Sequence, residues 1–512
     1  MGNLEFIRKL YNGKNCYSDH MSEDDLNKLH IKSGVESVIT NLLNNNNKIV
    51  FLTGNPGDGK TFIIKAIISN LNNKNIYIQK DLNDIKDYSV IAQDIVELFH
   101  ENKSALIAVN EYPFIKLCRY IRRISPEVYN EILSVKRKII VYAISQSLNS
   151  RIAIVDLNER NMLCEEPDHL VALINRILEV LNNDELVNSA LKYNIDALSN
   201  DFVKKQLVKL FQLATSVSSH FSIRDILGAI SFLFTACTVE DYKDHKYYSA
   251  LFEGNNELLN AIKQFDPIYI TCPCVDEHLW NGEIKEKWLF GAPEKSPCEI
   301  EEVDEALALF SEIKRKYYFE NLNAQDLLNL QPEEIIKCKY MFTSFESQKK
   351  KIKESIVRAI NKLFLPSSDD KKQLHIWTTH RYDMSHESTV AVSSRYVDSG
   401  ELDIMMPRPA DWINGLEYVP DHIIMKHRNS DKPILVLDID FLRTLSAIDS
   451  GYPIELLASQ YEQVAAMFLQ QLQDANYSEE NDDGEIILAC RSRNYRKKVH
   501  IQDGKYSFEE ED

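Results

Sequence analysis

The run Gly54-Asn55-Pro56-Gly57-Asp58-Gly59-Lys60-Thr61 has the spacing G-x-x-x-x-G-K-S/T. Residues of these types can hold phosphate: glycines let backbone N–H groups turn inward, and a helix N-terminus adds its positive dipole end. On that reading all eight residues line a nucleotide site, Lys60 reaches the β- and γ-phosphates of ATP, and Thr61 ligates Mg²⁺. Further along, Ala105-Leu-Ile-Ala-Val109 ends in Asn110-Glu111. An acidic strand tip beside a phosphate loop holds the metal's water shell and polarises the attacking water. Glu111 suits the general base, and Asn110 falls on the metal side, where a neutral amide binds Mg²⁺ more weakly than Asp would. A competing assignment gives the metal-side position to Asp156, which follows Arg151-Ile-Ala-Ile-Val155. If Glu111 is kept, Asn158 can touch both the γ-phosphate and the water, with Asp156 orienting it. Arg160 then reads as an intermolecular finger or as a solvated surface arginine. Ser222-Ile-Arg224-Asp225 offers Arg224 to the γ-phosphate; the plainer alternative makes Ser222 an N-cap and leaves Arg224 exposed.

These residues need a scaffold that brings them together. Ile49-Val-Phe-Leu-Thr53 is a short apolar run entering the loop, as a buried parallel strand does. The segment after Lys60 is apolar on nearly all sides and reads as a buried helix. Asn75–Gln79, Ala105–Val109 and Arg151–Val155 are further strands, and Ser89 caps a helix carrying Ile91, Ile95 and Leu98. Strands alternating with helices predict an α/β core with a parallel sheet over residues 1–165. Residues 166–240 form a helical lid built of three runs, beginning at Asp168, Phe202 and Ile223. A mostly helical middle region follows over 241–365, then a linker at Pro366–Asp370 and an α+β region over 366–512. In that last region the pattern predicts strands at Leu374–Thr378, Thr389–Tyr396 and Ile434–Leu437, and a helix over Ile454–Gln473. A β-meander closes the chain: Glu485–Cys490, Lys497–Ile501, an Asp503-Gly504 turn and Lys505–Phe508.

The phosphate loop, acidic strand tip, polar strand and lid with S-x-R together resemble the AAA+ ATPases over roughly residues 30–240. The resemblance implies a P-loop core with a helical lid, nucleotide bound between them, and assembly in which a neighbour's arginine completes the site. Asn110 departs from that pattern and bears on hydrolytic rate more than on ATP binding. More narrowly, LTGNPGDGKT, IAVNEY, IVDLNERN and FSIRDIL are similar to the F subunit (DptF) family of DNA phosphorothioation-dependent restriction systems. That resemblance implies an ATPase subunit of a bacterial anti-phage defence complex, working with other restriction subunits in homo- or hetero-oligomers. Contact with DNA would be direct or through partners. The alternatives are a nucleotide-dependent scaffold with little turnover, or a remodelling motor acting on DNA or protein.

Composition sets the outer bounds. A net charge of −18 argues against coating DNA with the whole surface, while leaving room for a local basic groove. No apolar run is long enough to span a bilayer, no export signal is evident, and the nine cysteines read as reduced thiols, so a cytoplasmic protein without membrane contact is expected. Cys272, Cys274, His278 and Cys298 have spacing too tight for the usual zinc knuckle and read as ordinary thiols. Asp438 and Asp440 read as a capped strand end rather than nuclease carboxylates. Arg491, Arg493, Arg496, Lys497 and Lys498, with Tyr495 interleaved, form the densest basic cluster and could grip phosphates. Glu509–Asp512 lies close enough in sequence to neutralise it.

Overall fold

The computed structural model describes residues 3–11, 23–68, 71, 76–82, 85, 87–142, 146, 149–164, 168–181, 189–216, 220–235, 246–381, 389–407, 417–418, 420–430, 433–457, 459–481, 485–490, 495–502 and 505–510. The chain is mixed α/β and divides into two compact units. The first comprises Met1–Arg137, Gln146–Gln331 and Ala410–Val419; the second comprises Lys138–Ser145, Pro332–Pro409 and Pro420–Asp512.

In the first unit, α1 (Asn3–Tyr11), α2 (Glu23–Leu29) and α3 (Gly34–Asn46) precede β1 (Ile49–Thr53). Then come α4 (Lys60–Ile68), β2 (Tyr77–Gln79), α5 (Tyr88–His100), β3 (Ala105–Ala108), α6 (Glu111–Ile124), α7 (Pro126–Tyr142, which from Lys138 on is counted with the second unit) and β4 (Ile152–Asp156). The four strands form one parallel sheet in the order β2-β3-β1-β4. Every residue of β1 is buried, as a central parallel strand covered on both faces should be. Val50 and Leu52 pack with Leu106, Ala108, Ala153 and Val155 from the flanking strands, against Ile39 and Leu42 of α3 and Ile63, Ile64 and Ile67 of α4. The cap of α5 is Asp87 rather than Ser89: the Asp87 carboxylate accepts from the Ser89 N–H at 2.9 Å.

Beyond β4 the unit is helical: α8 (His169–Leu181), α9 (Ser189–Ser199), α10 (Asp201–Leu213), α11 (Ile223–Thr235), α12 (Tyr247–Glu253), α13 (Glu257–Ile262), α14 (Pro273–Trp280), α15 (Val303–Glu320) and α16 (Ala324–Leu327). Helix α9 lies between the runs read from the sequence, where polar Lys192, Asn194 and Asp196 break up its apolar face. Its Asn194 is buried because its amide donates to the Phe234 carbonyl at 3.1 Å and its oxygen accepts from the Tyr247 N–H at 2.8 Å. The N-terminal α1 packs on α11, with Tyr11 stacked on Phe232 at 4.3 Å between ring centroids.

The second unit holds α17 (Glu333–Thr343), α18 (Phe345–Phe364), β5 (Gln373–His375), β6 (Thr378–Arg381), β7 (Thr389–Ser393), β8 (Arg395–Asp398), β9 (Leu402–Met405), β10 (His422–His427) and β11 (Ile434–Asp438). It continues with α19 (Ile439–Asp449), α20 (Ser459–Asp474), β12 (Glu479–Glu480), β13 (Ile486–Cys490), β14 (Tyr495–Gln502) and β15 (Lys505–Glu510). Pro366–Asp370 is a turn inside this unit, not a spacer. Phe364 and Leu365 are buried in its core, and the Asn361 amide donates to the Asp370 and Gln373 carbonyls. The expected strand Thr389–Tyr396 is split at Ser394: β7 joins β6 and β13, whereas β8 joins β5 and β12. The long C-terminal helix begins at Ser459 rather than Ile454, after a short 3₁₀ turn over Ile454–Leu456. Strands β13, β14 and β15 form the antiparallel meander.

Candidate functional site

Thr53 ends β1 and α4 starts at Lys60, so the six intervening residues must reverse the chain within a tight space. Gly54, Gly57 and Gly59 take φ of +143°, +105° and +79°, a region costly for residues with a Cβ. At Gly57 there is also no room. A Cβ there would lie 3.1 Å from Ser222 Oγ and 3.2 Å from Arg224 Cβ, because the start of α11 sits directly on the loop. The Arg224 N–H donates to the Gly57 carbonyl at 3.3 Å, joining α11 and the loop through the backbone.

Asp58, the last of the loop's four variable positions, is buried and organises it. One carboxylate oxygen accepts from the Asn55 N–H at 2.5 Å, and the other pairs with His220 Nε2 at 2.9 Å. His220 Nδ1 faces the Arg160 carbonyl at 3.2 Å. Both partners of the ring are acceptors, an arrangement that favours the protonated imidazole. Burial works against that charge, but the Asp58 hydrogen bond and charge outweigh it and raise the His220 pKa. Lys60 Nζ donates to the Gly54 and Asn55 carbonyls at 2.9 and 2.7 Å. Burial lowers its pKa, opposed by the charges of Asp58, Asp81 and Asp156.

A cavity of about 190 Å³ opens over this loop. It is lined by Gly57, Gly59, Lys60, Thr61, Asn110, Arg160 and Arg224, together with Lys80 and Asp81 just past β2. Apolar lining comes from separate parts of the unit: Leu10, Leu29 and Ile31 before the sheet, Met162 after β4, Leu173 of α8, and Ile223 and Leu227 of α11. Ser33 and Glu36 add polar atoms there, with Glu36 paired to His30 at 2.8 Å.

The expected residues therefore divide. Lys60, Thr61, Asn110 and Arg224 line one cavity, as do Pro56, Gly57 and Gly59 of the loop. Glu111 does not. It begins α6, its side chain is 58% exposed, and it is ion-paired with Lys136 of α7. Asn158 sits in the 3₁₀ turn after β4, outside the cavity lining, its N–H donating to Asp156 Oδ1 at 3.1 Å. Asp156 lies opposite Thr53 across the β1–β4 pair, and burial raises its pKa. Ser222 does cap α11, accepting from the Asp225 N–H at 3.2 Å, yet Arg224 still faces the cavity instead of solvent.

Arg160 corrects both of its readings. With its side chain 4% exposed, it is neither a finger reaching a neighbour nor a solvated arginine; its Nε donates to Glu417 Oε2 at 2.7 Å. Glu417 comes from the short stretch Ala410–Val419 that belongs to this unit. Its carboxyl is held down to about 2: burial alone would raise it, but the His169 hydrogen bond and the Arg160 charge win.

Sequence reasoning passed over Asp81, Lys80, His220, Glu417 and the N-terminal apolar wall. Asp81 had a legible signal, being an acid just past a short strand beside β3. His220 and Glu417 had none, since their partners are distant in sequence.

The remaining motifs lie apart. Cys272 and Cys274 open α14 with sulfurs 3.9 Å apart, and among the described residues no cluster of three or more metal-binding side chains occurs. Asp438 caps α19, accepting from the Phe441 N–H at 2.7 Å. Arg491, Arg493, and the Asp503-Gly504 turn lie outside the described residues. Lys497 and Lys498 stand opposite Glu510 and Glu509 in the β14–β15 register, and Lys498 is ion-paired with Glu485 at 3.1 Å. No described helix is long and apolar enough to cross a membrane. Comparison with protein-family models, curated proteins and solved structures finds no match to this chain.

Proposed function

We propose that this chain is an ATP-binding P-loop protein of AAA+ type that hydrolyses ATP as one subunit of a bacterial restriction or defence assembly. The observation that carries the nucleotide reading is the cavity itself. Its lining combines the loop glycines, Lys60 and Thr61 with aliphatic side chains such as Leu10, Leu29, Ile31 and Ile223. A triphosphate joined to a flat purine needs both kinds of surface. The restriction role rests on the motif resemblance alone.

The residues fit ATP and Mg²⁺. The first backbone N–H groups of α4 lack intrahelical partners and point toward the loop. Lys60 exchanges the Gly54 and Asn55 carbonyls for phosphate oxygens. Thr61 is the oxygen donor suited to Mg²⁺ and its waters, with Asn110 on the same cavity lining. Magnesium, when bound, neutralises charge on the phosphates. Arg224, fixed to the loop through Gly57, ties lid position to the γ-phosphate. Two carboxylates compete to activate water: Asp81 is on the cavity wall, whereas Glu111 is outside it and neutralised by Lys136. Position favours Asp81. The neutral Asn110 and the engaged Glu111 also support a second reading, a nucleotide-responsive scaffold with little turnover.

Calorimetric ATP titration and phosphate release on wild type, Lys60→Ala, Asp81→Asn and Glu111→Gln test these readings. Lys60→Ala is expected to abolish measurable binding, and unchanged binding refutes the nucleotide site. Asp81→Asn is expected to lower turnover on the order of 100-fold or more, as loss of a catalytic acid–base group does. Turnover lost in Glu111→Gln but kept in Asp81→Asn would return the role to Glu111. Binding without turnover in wild type favours the scaffold.

A further inference from the structure

Arg160 and Glu417 lie 257 positions apart, yet they make the most enclosed ion pair at the cavity. Both oxygens of Glu417 are used. Oε2 accepts from Arg160 Nε at 2.7 Å, while Oε1 accepts from His169 Nε2 at 3.0 Å and from the Gly34 N–H at 3.1 Å. The backbone is pinned as well: the Asn161 N–H donates to the Glu417 carbonyl at 2.7 Å, and Arg160 forms an antiparallel bridge with Tyr418. The Arg160 carbonyl, in turn, faces His220, which holds Asp58 in the phosphate loop.

Only one edge of the guanidinium is committed. The hydrogen bonds of Arg160 with described residues use Nε, the backbone N–H and the carbonyl, leaving the two terminal nitrogens out. A guanidinium is a rigid planar fork, so fixing Nε sets the direction of the terminal N–H groups. Arg160 lines the cavity with Lys60, Thr61 and Arg224, so a ligand there meets those groups. A buried pair placed only for stability is commonly matched by well-packed apolar residues, whereas an arginine on a cavity wall keeps donors for an anion.

We propose that Arg160 binds the polyphosphate of a nucleotide in its own chain's cavity, and that Glu417 is the positioning residue that aims it. The proposal rests on the nucleotide reading above. It makes a short stretch from the far end of the sequence part of the nucleotide site, and it separates Arg160 from any role toward a neighbouring molecule.

Calorimetric titration of the full chain with ATP and with adenosine tests it. The double variant Arg160→Ala/Glu417→Ala leaves no half of the pair buried alone. It is expected to bind adenosine as wild type does and ATP on the order of 10-fold more weakly or worse, since charge-assisted bonds to phosphate are lost. ATP affinity equal to wild type overturns the proposal, as does equal weakening for both ligands. Should that variant not fold, the isosteric Glu417→Gln must shift the ATP-to-adenosine affinity ratio in the same direction; an unchanged ratio overturns it. Wild type that binds neither ligand refutes the nucleotide reading instead.

Discussion

The Glu417 carboxylate gives the site a measurable dependence on pH. Its pKa falls from 4.5 to about 2 in the folded chain: burial raises it, but the His169 hydrogen bond and Arg160 more than offset that. A fall of that size corresponds to roughly 3 kcal/mol of folding stability at pH 7, at about 1.4 kcal/mol per unit. The side chain is 2% exposed, so solvent screening takes little from this figure. The folded pKa is depressed, so the contribution is fully present above the unfolded value and drains away as pH falls from about 4.5 toward 2. By linkage roughly 2 kcal/mol should remain at pH 3.5. Glu417→Gln removes the titrating group while keeping the shape. Urea unfolding followed by circular dichroism should place it about 3 kcal/mol below wild type at pH 7, with the gap narrowing by on the order of 1 kcal/mol at pH 3.5. Glu417→Ala should be worse at pH 7, by about 3–5 kcal/mol, because Arg160 and His169 stay buried without their acceptor. A Glu417→Gln protein as stable as wild type, or a gap that does not change with pH, would refute this account of the pair.

Two further outcomes follow from the loop. Gly57→Ala combines a φ of +105° with a Cβ 3.1 Å from Ser222 Oγ, whereas Gly291→Ala combines a φ of +83° with open space. Thermal unfolding should therefore show the larger loss for Gly57→Ala, about 1–3 kcal/mol, together with weakened ATP binding; equal losses at both positions would deny the close approach of α11. The His220 pKa is raised above 6.5, so its contribution is complete below that value and is lost as pH rises through the folded pKa. His220→Gln should flatten the decline of the thermal midpoint on the alkaline side of neutrality, and superimposable profiles for the two proteins would count against the Asp58–His220 bond.

Local signals carried the core of the site. A five-residue apolar strand, a glycine loop and an apolar helix are contiguous, so hydrophobic periodicity and backbone permissiveness mark β1, the loop and α4 without reference to the rest of the chain. The Ser-Ile-Arg segment at the start of α11 was legible for the same reason: a cap and its first turn are written in adjacent residues. Strand β2 was legible despite its three residues, whereas helix α9 was passed over because of its polar interruptions.

What a strand tip faces is not a local property. Glu111 carries the right chemistry one residue after Asn110, but starting α6 turns it out to Lys136 while Asn110 stays on the cavity wall. Asp81 reaches that wall because β2 pairs with β3, an adjacency set by chain crossovers and not by spacing in sequence. Glu417 is the extreme case, since its partners Gly34, Arg160 and His169 lie 248 to 383 positions away. The sequence by itself thus determined where the glycine loop and its flanking strand and helix lie, because that depends on neighbours along the chain. Only the tertiary structure decided which charges surround it, because burial and pairing depend on neighbours in space.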